Sequence, residues 1–361
     1  MALRVVVAPD SFGATLTAAR AAAAIAYGWS SVRPADAVLV KPQSDGGPGF
    51  IDCLDGVGRL RAAPVAGPLG ETTMARWRIA GHTAYLECAQ VCGLHLIGRP
   101  EPRTALAAST AGVGQLITAA LRADRVTRLV IGLGGSATTD GGRGMLDALG
   151  GPDAATGLLA GVRVVAATDV DNPLTGPRGA AAVFAPQKGA DQAAVELLTD
   201  RLAHIGAEFE IFAGRPVSDE PGAGAAGGLG AALLALGATR VSGADLVARA
   251  TGLPAAMRRA DVVITGEGRL DDQTAAGKVV ARVAAAAPPG VEVIALVGDS
   301  SAVDPGLRRR LRLDTVASLV DHVGRAAAFG DAAASLASLA ARVAGRRADT
   351  GRGDGNGETG E

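Results

Sequence analysis

The stretch RLVIGLGGSATTDGGRGML, residues 128–146, starts as an apolar, β-branched run. It then opens into five glycines within eleven residues, with Ser136, Thr138, Thr139 and Asp140 among them. A continuous apolar run reads as a strand buried on both faces. Glycines directly after it read as a turn whose backbone must approach something closely. Successive amides in such a turn, backed by the start of a helix, form an anion site, so the stretch reads as strand, phosphate-binding loop and helix. The same strand signature recurs at 4–11, 37–47, 163–171, 261–268 and 291–300. Helical stretches are expected between and after these strands at 17–28, 48–56, 106–122, 191–213, 245–259, 274–287 and 325–345. Alternating strands and helices define an α/β protein with parallel sheets, in which ligands bind beyond the carboxyl ends of the strands.

Residues 59–90 break that rhythm, with roughly alternating polarity between turn signals, and read as antiparallel strands. Residues 346–361, RRADTGRGDGNGETGE, carry one apolar residue and are expected to be a disordered tail. With 361 residues, the chain is long enough for two domains. Thirty-five basic against 36 acidic residues leave a net charge of −1, and aromatics are 3%. Neither a basic face nor a stacking platform is available, so a nucleic-acid partner is not expected. Three cysteines build no disulfide framework, and no stretch approaches a membrane span. The expected setting is cytoplasmic, as a monomer or homodimer. Cys88, Cys92 and His95 have metal-like types but lack the paired spacing of a zinc site, and read as reduced, semi-buried residues.

Gly132–Ala137 fits the relaxed dinucleotide fingerprint, which leaves a nicotinamide-dependent oxidoreductase as one alternative. The acid that fingerprint needs, about 20 residues on, is replaced by Asp169, which comes too late. A second glycine cluster, GAGAAG at 222–227, follows no strand and reads as a glycine-rich helix entry. There is no Walker A pattern, and Gly298–Ala302 is a weak nucleophile elbow. The carboxylates are more informative: Asp10, Asp45, Asp140, Asp169, Asp171, Glu267 and Asp271 all fall at expected strand ends or in the glycine loops there. Together with Lys188, Arg269 and Lys278, they supply the acids and cations that phosphoryl transfer requires.

VVVAPDSF (5–12), SDGG (44–47), VIGLGGSATTDGGRGML (130–146), DVDNPLTGPRGAAAVFAPQKGA (169–190), PGAGAAGGLGAALL (221–234) and VVITGEGRLDDQTAAGK (262–278) together resemble the type 1 glycerate kinase family over roughly residues 4–345. The resemblance implies a two-domain glycerate kinase fold. A flavodoxin- or Rossmann-like parallel-sheet domain, expected over 1–62 and 255–345, would carry a second α/β domain, 63–254, inserted in its sequence. It also implies ATP, Mg²⁺ and D-glycerate. Loops containing Gly134, Gly135, Ser136, Asp140, Gly141 and Gly142, and Gly224, Gly227 and Gly228, would hold the nucleotide. Asp10, Ser11, Asp45, Gly46 and Gly47 would line the substrate site. The catalytic set would be Asp169, Asp171, Lys188, Glu267, Arg269, Asp271 and Lys278, with Asp169, Asp171 and Glu267 as metal ligands. Gly13 and Pro48 stand where the family usually has lysine and glutamate, which marks a divergent branch. A relative that binds nucleotide or hydroxy acid without turnover is the other reading.

Overall fold

The computed structural model describes residues 1–13, 15–123, 125–271, 274 and 278–350, with side chains to Arg347. Its strands are β1 (Arg4–Val7), β2 (Ala37–Val40), β3 (Arg59–Ala66), β4 (Thr72–Ala80), β5 (Thr83–Glu87), β6 (Arg128–Gly132), β7 (Arg163–Ala167), β8 (Thr239–Val241), β9 (Val262–Thr265), β10 (Glu292–Val297) and β11 (Thr315–Ser318). The chain divides into two compact units, Met1–Ser44 with Ala248–Glu361, and Asp45–Val247. The divisions fall at 44/45 and 247/248, where 62/63 and 254/255 were expected. Residues 45–58 join the second unit because Gly46 O accepts from Gly134 N, and Phe50 and Ile51 are buried beside β5 and β6.

The first unit is a parallel sheet in the order β11-β10-β9-β1-β2. Val5, Val7, Val262, Ile264, Ile294 and Leu296 face a core shared with helices Ala18–Val32 and Ala332–Thr350, and the intervening Val6, Val263, Val293 and Ala295 are buried too. Burial of both faces is why these strands read as unbroken apolar runs. The two helices cross at Gly28, where a Cβ would lie 2.0 Å from Ala337 O.

The second unit is a six-stranded sheet in the order β3-β4-β5-β6-β7-β8. β3, β4 and β5 are antiparallel as expected, and β5 through β8 are parallel. The short edge strands β8 and β11 were not legible, because TRV and TVAS carry too few apolar residues to register.

Several helices differ from expectation for local reasons. The stretch 48–56 yields only Phe50–Cys53, entered through Gly49 at φ 90°. The stretch 106–122 splits into Pro102–Ala107 and Ala111–Ala123. Between the two, Thr110 gives its amide and hydroxyl to Asp140. The stretch 245–259 breaks at Gly252, φ 72°. The last helix runs to Thr350, past the expected start of the tail at 346, and Arg347 within it pairs with Glu292. Residues 351–361 lie outside the described residues.

Candidate active site

In the second unit the loops after β6 and β7 leave one edge of the sheet, since Gly132 is in register with Ala167. This places the 134–142 loop and Asp169 on a common rim. A cavity of about 200 Å³ opens there, lined by Leu133, Gly134, Gly135, Ser136, Lys188 and Gly227 among others. The structure thus brings both glycine-rich segments and Lys188 to a single opening.

Lys188 is buried. Its Nζ donates to Thr138 O at 2.5 Å and to Ser136 Oγ at 3.3 Å, so the ammonium braces the loop from beneath. Burial pushes its pKa down to about 8, against the opposing pull of Cys92, Cys88 and Asp140. A cation kept dry under a turn strengthens the local field for an anion arriving above it.

The glycines also serve close packing within the protein. A Cβ on Gly134 would lie 2.4 Å from Gly47 Cα, and one on Gly227 would lie 1.8 Å from Thr138 O. Gly135 meets Pro48, Gly141 meets Ile205, Gly142 meets Ala232, Gly224 meets Pro173, and Gly228 meets Gly141. Three backbone segments cross nearly in contact, and glycine is what permits it. Several of the loop's amides are also committed to protein acceptors: Gly134 N to Gly46 O, Ala137 N to Cys92 O and Gly141 N to Gly227 O.

Asp140 is an organiser of this loop. Its Oδ2 accepts from Thr110 N and Thr110 Oγ1 at 2.8 Å each and from Gly144 N at 3.2 Å, and its Oδ1 accepts from Gly142 N at 3.1 Å. Asp140→Ala should therefore lower unfolding stability by about 3 kcal/mol in a denaturant titration, because four donors lose their acceptor. A loss under about 1 kcal/mol would contradict this role.

Asp169 and Asp171 take separate partners. Asp169 Oδ2 accepts from Ala244 N at 3.1 Å, whereas Asp171 is exposed and paired with Arg240. Among the described residues, no group of three or more His, Cys, Asp or Glu is arranged to hold a metal ion. Gly46 and Gly47 pack against Ala167 and beside the Asp45 carboxylate, which accepts from Gly47 N at 3.0 Å.

In the first unit the expected residues gather at the carboxyl ends of β1, β9 and β10. Asp10 accepts from Ser11 N at 2.6 Å. Glu267 is buried and accepts from Thr274 Oγ1 at 2.5 Å. Arg269 lies 3.9 Å from Asp271 and bridges backbone to Asp299. Lys278 stands at the N-terminus of helix Val279–Ala286, against the helix dipole, where a bound anion would compensate it. Asp272 and Gln273 lie outside the described residues.

Two residues that organise these sites were missed. Glu87, at the end of β5, is buried, and its two oxygens accept from Gly49 N at 3.1 Å and Ile51 N at 3.0 Å. Burial pushes its carboxyl pKa up. Asp299, after β10, pairs with Arg325 at 2.9 Å. Hydrogen bonds from Ser301, then the positive charges of Arg325 and Arg269, hold its carboxyl below the usual range. Asp299 had been visible only inside the weak elbow, and Glu87 only as an acid ending a strand. The three cysteines are fully buried, where semi-buried ones were expected.

Both units are α/β, with these residues at the carboxyl ends of their parallel strands. The model of the glycerate kinase family matches residues 5–154 and 152–347. The glycerate kinase of Bacillus subtilis (strain 168) is 42% identical over 335 residues, covering 83% of this chain and 87% of that protein. The glycerate 2-kinase of Escherichia coli (strain K12) is 37% identical over 351 residues, covering 89% and 92%. An uncharacterised Mycobacterium bovis protein is 51% identical over 356 residues, covering 97% and 93%. A crystal structure from Salmonella typhimurium LT2, named as a candidate glycerate kinase 2, superposes with a TM-score of 0.76 at 34% identity, over 98% of this chain and all of that one. The chain belongs to the glycerate kinase family. No helix among the described residues is long and apolar enough to cross a membrane.

Proposed function

We propose that the chain transfers the γ-phosphoryl group of ATP to a hydroxyl of D-glycerate in the cytoplasm, giving ADP and 2- or 3-phosphoglycerate. The observation that carries this reading is the meeting of two glycine turns and the buried Lys188 around one cavity at the carboxyl edge of a parallel sheet. The hydroxyl oxygen attacks the γ-phosphorus, and the bond to the β,γ-bridging oxygen breaks. ADP leaves, and the hydroxyl proton passes through a rim carboxylate to water.

Gly134, Gly135, Ser136 and Gly227 are assigned to the nucleotide phosphates, with Lys188 beneath them. Gly141, Gly142, Gly224 and Gly228 hold those turns in shape, and Asp140 fixes them to Thr110. Mg²⁺ suits the donor chemistry, since on a nucleotide it needs only one or two carboxylates besides phosphate and water. Asp169, beside the cavity-lining Val170, is the carboxylate we assign to it, and Asp171, spent on Arg240, is left out. When bound, the ion would neutralise charge on the phosphate oxygens. Arg269 and Lys278 are assigned to the substrate carboxylate. Glu267, Asp271, Asp10 and Ser11 of the first unit are assigned to orienting the hydroxy acid.

The test is a coupled ADP-release assay with ATP, MgCl₂ and D-glycerate, followed by ³¹P NMR of the product. The expected result is stoichiometric ADP and phosphoglycerate, abolished by EDTA. Nucleotide binding without turnover on any hydroxy acid would instead favour the non-catalytic reading that Gly13 and Pro48 suggest. NADH oxidation with a keto acid would favour an oxidoreductase.

A further inference from the structure

The first unit contains a groove of about 910 Å³ unrelated to the residues assigned above. It lies where the edge strand β11 and helix Ala332–Thr350 leave one strip of sheet partly uncovered. Four guanidinium groups line it: Arg33, Arg342, Arg346 and Arg347. Arg33 is held by Asp36 at 2.6 Å, and Arg347 by Glu292. Arg342 and Arg346 have no ion-pair partner among the described residues, and Asp321 is the remaining acid in the lining. Being four apart on one helix, the two share a face, one turn above the other.

Positive charge is concentrated here at some cost. Burial and the nearness of Arg33 push the Arg347 guanidinium pKa down, and Arg342 helps push that of His322 down, after burial. Beside the charges lie apolar side chains, Leu3, Val316 and Val343, the first two half-buried. Guanidinium forks match phosphate oxygens in pairs. An apolar strip beside them favours a ligand that carries a body as well as a charge.

We propose that this groove is a binding site for an organic phosphate, its phosphoryl group taken by Arg342 and Arg346 and its apolar or aromatic body laid against Leu3 and Val316. The probe is 1-naphthyl phosphate, titrated calorimetrically into the full chain, with inorganic phosphate and 1-naphthalenemethanol as the two halves of the ligand. One molecule of naphthyl phosphate should bind per chain, at least tenfold more tightly than either half. Arg342→Glu with Arg346→Glu should weaken it at least tenfold, and Arg342→Gln with Arg346→Gln should weaken it in the same direction while sparing the melting temperature. Absence of binding, binding unchanged in either double variant, or inorganic phosphate binding as tightly as naphthyl phosphate would each overturn the proposal.

Discussion

Lys188→Met is expected to reduce turnover by a factor of about 10² to 10³ while leaving the protein as stable as before, or more stable. The two effects separate because the ammonium is buried at a cost. Its pKa falls from 10.5 to about 8, which corresponds to about 3 kcal/mol of penalty on the charged form in the folded state. Methionine removes that penalty and leaves Thr138 O without its donor, a loss of about 1–2 kcal/mol. The sign with pH follows. Below pH 8 both folded and unfolded chains hold the proton, and above 10.5 neither does. Between these values only the unfolded chain is protonated, so stability rises with pH across that window. The variant should lack this rise in thermal melts. In the parent enzyme, kcat/KM should fall above about pH 8 as the braced cation is lost. A variant with parental turnover, or one that merely unfolds, would remove Lys188 from the site.

Gly227→Ala is expected to destabilise the second unit by about 3 kcal/mol or more. At φ 67° an L side chain costs about 1–2 kcal/mol, and the new methyl would fall 1.8 Å from Thr138 O, which the Lys188 ammonium already holds. Either the Thr138 carbonyl, which Lys188 of the cavity lining holds, moves or the 225–228 turn does, whose residues 225–227 line the cavity. Gly161→Ala is the matched control: its φ of 77° is equally strained, yet nothing lies within 4 Å of the added atom. Urea titrations should give about 1 kcal/mol for the control and clearly more for Gly227. Equal losses would mean that close packing is not why the second cluster is glycine-rich.

These glycines mark where reading the chain from residues alone succeeded and where it failed. The loop after β6 was correctly placed at a strand end beside Asp169, because the apolar run of 128–133 can only be a doubly covered strand. The sequence pointed to a ligand as the reason for its glycines; a second reason, not legible there, is close packing against residues 46–48, 202–205 and 229–232, distant in the chain. Asp140 was seen as part of the loop, but its partner Thr110 lies 30 residues away, and no local pattern joins them. The same distance hid Glu87, whose acceptors serve Gly49 and Ile51.

By itself, then, the order of residues determined the α/β class, the parallel core strands and the edges at which the acids and glycines collect. Those features depend on periodicity and turn chemistry, which act over a few neighbouring residues. Only the tertiary structure decided that Lys188 lies dry beneath Thr138, that Asp171 is spent on Arg240, and that the glycines serve backbone crossings. Each of these is set by a contact between segments far apart in the chain, where burial and close approach, not local propensity, fix a side chain's charge and role.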